Sequence, residues 1–164
     1  MGVRTRLAGA LVAFAMLALD QGHKVWMLFS YDIADRQPVA LAPWLDLVLA
    51  WNPGISYSLF SATTETGRWL LLAVALVATL ALSVWLWQAK TMPLALGLGL
   101  IIGGALGNAW DRFAYGAVAD FFHFHIGNFS WYIFNLADCG IVAGVGLLLY
   151  DSFYGSSGAS KPAG

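Results

Sequence analysis

The chain has 164 residues, of which 60% are hydrophobic and only 10% are charged. A soluble domain carries about 25% charged residues, so this composition indicates a single compact domain in a membrane. The formal net charge of −1 gives no electrostatic support for binding nucleic acid. Because Cys139 is the only cysteine, an intrachain disulfide is excluded.

Four apolar segments approach the ~20 residues that a helix needs to cross a ~30 Å hydrocarbon core. We predict transmembrane helices over about 7–29, 68–89, 93–111 and 129–150. The first segment could also be interpreted as a cleavable signal peptide. Apolar residues resume after Lys24, however, and no small-x-small site closes a short apolar core, so we favour a retained helix. The predicted domain covers 1–155, and 156–164 is predicted to be a disordered cytoplasmic tail.

Positively charged residues predict the orientation of these helices. On one side of the four-helix arrangement lie Arg4, Arg6, Lys90 and Lys161, whereas on the other only Arg36 lies well clear of a helix end. Cytoplasmic loops carry an excess of Lys and Arg. The sequence therefore predicts a multi-pass protein with both termini in the cytoplasm.

Two segments, 30–67 and 112–128, then face the extracytoplasmic side. The stretch "LDLVLAWNPGISYSLF" predicts a strand, a Pro-Gly turn and a second strand with Ile55, Tyr57 and Leu59 on one face. The stretch "AVADFFHFHI" is also typical of a strand. Because non-helical backbone near lipid needs hydrogen-bond partners, we predict a small β-layer on the membrane surface.

Glycines predict how the helices pack. Gly99, Gly103 and Gly107 recur every four residues on the third helix, and Gly140 and Gly144 form a similar pair on the fourth. Such ridges permit close backbone approach, so we expect the third and fourth helices to contact each other along them. The alternative is that the glycines only reflect the frequency of this residue in membrane helices.

Polar residues cluster at the predicted outer ends of three helices instead of scattering. Groups three or four residues apart share a helix face. The groups are Asp20, Gln21 and Lys24 on the first helix, Asn108, Asp111 and Arg112 on the third, and Asn135 and Asp138 on the fourth. Ionisable residues in such places are functional candidates by default.

A purely structural interpretation suits some of these residues better than others. Asp20 with Lys24, and Asp111 with Arg112, could be ion pairs or helix caps, and Asn52 beside Pro53 is most simply a turn residue. Asp120 and Asp138 are different, because each adjoins apolar sequence and neither has an adjacent cation.

Two carboxylates that meet at a low-dielectric surface share a proton near neutral pH, because both cannot easily ionise. One can then remove a proton from water while the other, protonated, polarises a scissile carbonyl, without metal or cofactor. A metal site at His123 and His125 is disfavoured, because Asp120 would point to the opposite strand face and leave the pair short of ligands. Cys139 is interpreted as a packing residue.

The motifs "DQGHK" (20–24), "NPGISYSLF" (52–60), "GGALGNAWDRFAYGAVADF" (103–121) and "FNLAD" (134–138) resemble, in the same order, those of bacterial lipoprotein signal peptidase, or signal peptidase II. The resemblance implies four transmembrane helices with an extracytoplasmic β-cradle in the bacterial inner membrane. It also implies an aspartic endopeptidase that removes signal peptides from diacylglyceryl-modified prolipoproteins, cutting on the N-terminal side of the lipidated cysteine.

The resemblance further implies roles for individual residues. Asp120 and Asp138 would be the catalytic pair, and Asp20 and Lys24 would support the site. The substrate would be bound by Asn52, Gly54, Asn108, Arg112 and Asn135. No cofactor is implied, globomycin-type cyclic peptides are the expected inhibitors, and we expect a monomer because one chain supplies the whole site.

Two other classes of protein remain as alternatives. A proton- or ion-coupled transporter would need carboxylates through the depth of the bilayer, whereas these gather at one face. A non-enzymatic assembly factor would use the glycine ridges for docking but leaves the polar cluster unexplained.

Overall fold

The structure is a computed structural model that describes residues 2–54 and 65–155. It contains five α-helices and four strands in the described ranges. In chain order these are α1 (Gly2–Val25), α2 (Ile33–Arg36), β1 (Val39–Ala42), β2 (Leu45–Asn52), α3 (Glu65–Gln88), α4 (Met92–Tyr115), β3 (Val118–Ile126), β4 (Phe129–Phe134) and α5 (Leu136–Tyr150). A π-helical turn extends α1 over Trp26–Ser30, and another extends α5 over Asp151–Gly155.

The prediction of four membrane-spanning helices with a small β part is confirmed. Four helices are long and apolar enough to cross a membrane, namely Gly2–Ser30, Glu65–Gln88, Met92–Tyr115 and Leu136–Tyr154. Only α4 is extensively buried along its length, and the other three expose many large apolar side chains. In water this surface would be unfavourable, whereas in a bilayer it faces hydrocarbon.

The strands form one antiparallel sheet in the order β1-β2-β3-β4. Asp120 lies opposite Ala50 in the β2–β3 pair, and Phe122 lies opposite Phe134 in the β3–β4 pair. The sheet lies at the ends of α1 and α4 and at the start of α5. The predicted strand over Ile55, Tyr57 and Leu59 lies outside the described residues.

The predicted fourth helix was wrong at its beginning, because 129–134 is strand β4 and α5 starts at Leu136. A short apolar run cannot be assigned to strand or helix by periodicity alone. The aromatic and β-branched residues of "FSWYIF" favour a strand, and pairing with β3 satisfies their backbone groups. The third helix, predicted to end at 111, continues to Tyr115 and ends at Gly116, whose φ of 83° favours glycine.

The expected contact between the third and fourth predicted helices is present, but the Gly99–Gly103 ridge does not make it. A Cβ at Gly103 would collide with the backbone oxygen of Ala13 on α1, and Gly99 likewise approaches the oxygen of Gly9. The α4–α5 contact uses another face of α4, which carries Gly97 and Gly104. Small residues therefore line two faces of α4, one for each neighbour.

Close packing of α5 on α4 can be tested at Gly144. A Cβ there would lie 2.6 Å from the Gly97 oxygen, whereas a Cβ at Gly146 meets nothing within 4 Å. Alanine improves helix propensity at both sites by about 0.5–1 kcal/mol, but overpacking costs about 1–3 kcal/mol at the first alone. We expect Gly144→Ala to melt at a lower temperature than Gly146→Ala in detergent. Equal melting temperatures would contradict this packing.

Candidate active site

Asp138 lies in the first turn of α5, where it takes part in a reciprocal capping box. Its backbone N–H donates to Oδ1 of Asn135 (3.0 Å), and its Oδ2 accepts from the backbone N–H of Asn135 (3.2 Å). The N-terminal end of a helix also favours a negative charge. The helix start thus fixes the position of this carboxyl group.

Asp120 reaches the same point from the sheet. Its side chain is 2% exposed. One oxygen accepts from Nδ2 of Asn135 (2.6 Å) and the other from Nδ2 of Asn52 (3.2 Å). Asn135 therefore contacts both carboxyl groups, with its amide on Asp120 and its backbone N–H on Asp138. The structure brings together the two acids that the sequence singled out.

Helix α4 supplies two more predicted residues. Asn108 donates through Nδ2 to Oδ1 of Asp138 (3.0 Å) and accepts through Oδ1 from Nδ2 of Asn135 (3.1 Å). Arg112, one turn later, donates through Nη1 to the backbone oxygen of Asn108 (3.2 Å). Its Nε is buried and has no hydrogen-bond partner among residues 2–54 and 65–155.

The pKa of Asp120 is raised to about 6. Burial is the largest cause, and the negative charge of Asp138 adds to it. The hydrogen bonds from Asn52 and Asn135 act in the opposite direction, because they favour the ionised form. Near neutral pH this carboxyl group therefore exchanges its proton readily.

A cavity of about 710 Å³ opens at the two acids. Its polar lining includes Asn52, Gly54, Asn108, Arg112, Asp120 and Asp138. Its apolar lining includes Val118, Trp131, Phe134, Val142 and Ala143. An amphiphilic ligand would therefore meet polar and apolar surface together. The predicted residues Asn135, Asp20 and Lys24 do not line the cavity.

The side chains of Lys24 and Asp20 form a buried ion pair beneath the cavity, as one of the sequence alternatives expected (Nζ to Oδ2, 2.8 Å). Asp111 does not pair with its neighbour Arg112 but with Lys24 (2.7 Å). Lys24 also donates to Oδ1 of Asn108 (3.1 Å), so all three of its N–H donors are used. A cation that is 1% exposed thus satisfies three acceptors from two helices.

Sequence reasoning missed the apolar lining of the cavity and also Tyr132 and Cys139. Tyr132 accepts through its hydroxyl from Nδ2 of Asn52 (2.8 Å), a contact that depends on the pairing of β4, which the sequence did not predict. Cys139, expected to be a buried packing residue, is exposed and lines the cavity. Its position directly after Asp138 was the only available signal. Asn52 does serve as a turn residue, since its Oδ1 accepts from the N–H of Gly54 (3.1 Å).

The two histidines of β3 have protein partners of their own. His125 pairs with Asp46 through Nε2 (2.9 Å), and His123 contacts the hydroxyl of Ser130 (2.7 Å). Within the ranges that the structure describes, no group of three or more His, Cys, Asp or Glu residues could hold a metal ion.

Substituting Lys24 tests the buried ion cluster. Lys24→Met keeps the length of the side chain but leaves two buried carboxylates without their cation, which costs about 3–5 kcal/mol. We expect a large fall in the melting temperature measured in detergent. Lys90→Met, at an exposed position beyond the end of α3, should melt like the parent. A stable Lys24→Met protein would show that the cluster contributes little to folding.

Comparison with known proteins gives a consistent result. A family model described as signal peptidase (SPase) II matches residues 12–154. The lipoprotein signal peptidase of Methylocella silvestris is 61% identical over 154 residues, which cover 94% of this chain and 90% of the relative. That of Beijerinckia indica is 58% identical over 158 residues, which cover 96% and 94%.

A solved bacterial membrane enzyme, determined by the in meso method at 2.3 Å resolution, shares the fold with a TM-score of 0.77. It is 23% identical and the match covers 95% of this chain and 93% of that one. The family match extends through all four long helices and the sheet, and includes every residue that meets at the cavity. This chain belongs to the signal peptidase II family of membrane peptidases.

Proposed function

We propose that this chain is an aspartic endopeptidase that removes signal peptides from diacylglyceryl-modified prolipoproteins. It cuts on the N-terminal side of the lipidated cysteine. The observation that carries the mechanism is the meeting of Asp120 and Asp138 through Asn135 at one cavity. The substrate class is supported by the relatives, which are lipoprotein signal peptidases.

The proposed reaction begins with one proton on the dyad, which we place on Asp120. Burial and the neighbouring charge of Asp138 raise the pKa of Asp120 to about 6. Asp138 accepts hydrogen bonds from Nδ2 of Asn108 and from the backbone N–H of Asn135. Asp138 removes a proton from a water molecule, and the water oxygen attacks the scissile carbonyl carbon. Asp120 donates its proton to the carbonyl oxygen, which stabilises the tetrahedral intermediate.

Collapse of the intermediate breaks the peptide C–N bond. The leaving nitrogen takes the proton that Asp138 received, and the hydroxyl proton returns to Asp120, so the dyad regains its starting state. The signal peptide leaves with a new carboxylate and the lipidated cysteine with a new amino group. No redox step and no additional reactant besides water are needed.

Cavity residues orient the substrate for this attack. Arg112 lines the cavity with its guanidinium group, and Asn52, Gly54 and Asn108 offer amide and backbone groups to the peptide. Val142 and Ala143 give the apolar side on which acyl chains remain in lipid. Holding the peptide in register lowers the barrier by limiting the entropy lost in the transition state. Globomycin-type cyclic peptides should compete for the same cavity.

The proposed setting is the bacterial cytoplasmic membrane, with both termini in the cytoplasm and the cavity near the extracytoplasmic surface. Arg4, Arg6 and Lys90 lie at the end of the bundle away from the sheet, which supports this orientation by the positive-inside rule. One chain supplies every group used in the mechanism, so a monomer suffices. Membrane lipid is the remaining expected partner.

Isosteric replacement of the acids tests the mechanism. Asp120→Asn and Asp138→Asn each remove one member of the dyad, so we expect cleavage of a diacylglyceryl-modified prolipoprotein to fall by at least about 10³-fold. The assay uses purified protein in detergent with EDTA present. Asp46→Asn, on the neighbouring strand and paired with His125, is the control and should cleave like the parent. Near-parent cleavage by either dyad variant would refute the assignment, and a folded parent that cannot cleave would favour a transporter.

The pH dependence of cleavage reports on Asp120. We expect one limb of the pH–rate profile near pH 6, where this group gains or loses its proton. Asn52→Ala removes a hydrogen bond that favours the ionised form, so the limb should move to higher pH. Asn128→Ala, in the exposed β3–β4 turn, should leave the limb in place. An unchanged limb in Asn52→Ala would show that another group controls it.

A further inference from the structure

The residues that immediately precede the two dyad aspartates are held in the same way. Ala119 comes before Asp120 and Ala137 before Asp138, and both alanines are fully buried. The backbone N–H of Ala119 donates to Oδ2 of Asp111 (3.2 Å). That of Ala137 donates to Oδ1 of Asp20 (3.0 Å). One buried carboxylate therefore anchors the backbone beside each acid.

Neither the N–H of Ala119 nor that of Ala137 has a backbone acceptor in its own strand pairing or helix. Ala137 lies in the first turn of α5, where helical N–H groups have no intrahelical acceptor. Strand β4 pairs with β3 only from Phe122 onward, so it leaves Ala119 uncovered. Because buried N–H groups need acceptors, these two carboxylates are structurally required at their positions.

Lys24 joins the two anchors. Its Nζ lies 2.8 Å from Oδ2 of Asp20 and 2.7 Å from Oδ2 of Asp111. Gln21 bridges the same pair, since its Nε2 lies 3.1 Å from Oδ2 of Asp20 and 2.9 Å from Oδ1 of Asp111. The two carboxylates are thereby held at a fixed separation by one ammonium group and one amide, both on α1.

Gly107 makes this arrangement possible. A Cβ at this position on α4 would collide with the carboxylate of Asp20, and its backbone oxygen accepts from Gln21 (3.1 Å). Helix α1 must therefore approach α4 closely at the level of the ion cluster. None of Asp20, Gln21, Lys24 or Asp111 lines the cavity, so their influence on a substrate has to pass through other residues.

We propose that Lys24, Asp20 and Asp111 form a positioning clamp that sets the distance between Asp120 on β3 and Asp138 on α5. The inference rests on the proposed function, because it concerns the geometry of that dyad. Asp111 holds the backbone before Asp120 on β3, and Asp20 holds the backbone before Asp138 on α5. Lys24 forms the joint between them, because it pairs with both carboxylates. The clamp acts on the rate of the chemical step, since both acids must lie within hydrogen-bond reach of the same water.

Asp111→Asn is the first test. An amide oxygen at the Oδ2 position can still accept from Ala119 and Lys24, but the negative charge that pairs with Lys24 is lost. The amide nitrogen then faces Nε2 of Gln21, a second donor, so the joint is weakened. Because a misplacement of about 1 Å can reduce a rate by about 100-fold, we expect kcat to fall tenfold or more. KM should change less than about twofold, since the cavity lining is intact. Asp35→Asn, an exposed acid on α2, is the control and should leave both constants unchanged.

A clamp predicts that its two arms act as one unit. If Asp20→Asn already releases the joint, adding Asp111→Asn should reduce kcat little further, so the double variant should resemble the slower single variant. Two independent supports would instead give losses that multiply. Multiplying losses, or a kcat within twofold of the parent in folded Asp111→Asn, would overturn the inference.

Asp111→Glu covers the case in which the asparagine variant does not fold. It keeps the charge for Lys24 but displaces the acceptor of Ala119 by one methylene, so kcat should fall in a folded protein; a parent-like kcat would overturn the clamp. Asp120→Asn measured alongside separates the two hypotheses. An active Asp120→Asn contradicts the dyad itself. An inactive Asp120→Asn with an active Asp111→Glu contradicts only the clamp.

Discussion

The close approach of α4 to both α1 and α5 is the constraint on which the site depends. Helices in a membrane gain little from the hydrophobic effect, so backbone contact at small residues and interhelical polar contacts hold them together. Along α4, the backbone contacts at small residues come first and the polar contacts follow one turn later. Gly99 and Gly103 bring α1 near, and one turn further Gly107 allows the Asp20 carboxylate to enter the interface. A larger residue on this ridge would separate the helices and the polar groups with them.

Charge balance explains why so many donors surround the acids. Four carboxyl groups lie at the sheet end of the helices (Asp20, Asp111, Asp120 and Asp138), whereas Lys24 and Arg112 are the cations that face them. The three N–H donors of Lys24 are used by Asp20, Asp111 and Asn108. Among the described residues, those that donate hydrogen bonds to Asp120 and Asp138 are Asn52, Asn108 and Asn135, whose neutral groups stabilise a carboxylate less than an ion pair does. Burial and the charge of Asp138 raise the pKa of Asp120 to about 6, so the dyad takes up a proton more readily than an exposed aspartate does.

The sequence predicted the four helices from local patterns, whereas the meeting of Asp120 with Asp138 was expected only from the resemblance of the motifs to signal peptidase II. Apolar length identifies spans, and polar residues three or four apart share a helix face. The errors have the opposite origin, since they concern partners distant along the chain. The composition of 129–134 favours a strand, but its apolar run continues into α5, and only pairing with β3 settles the assignment. The choice of Lys24 over Arg112 as partner of Asp111 depends on the helix that faces α4.

Burying Asp120 links the site to the stability of the fold. Its pKa is raised from the ordinary 3.8 to about 6, so the folded state binds this proton more tightly than the unfolded chain. The stabilisation from the bound proton is fully present below pH 3.8 and is lost as the pH rises through 6. Above that pH the buried carboxylate costs about 3 kcal/mol of unfolding free energy. Keeping an acid that exchanges its proton near neutral pH thus lowers the free energy of unfolding. The hydrogen-bonded ion cluster around Lys24, next to the dyad, can offset that loss.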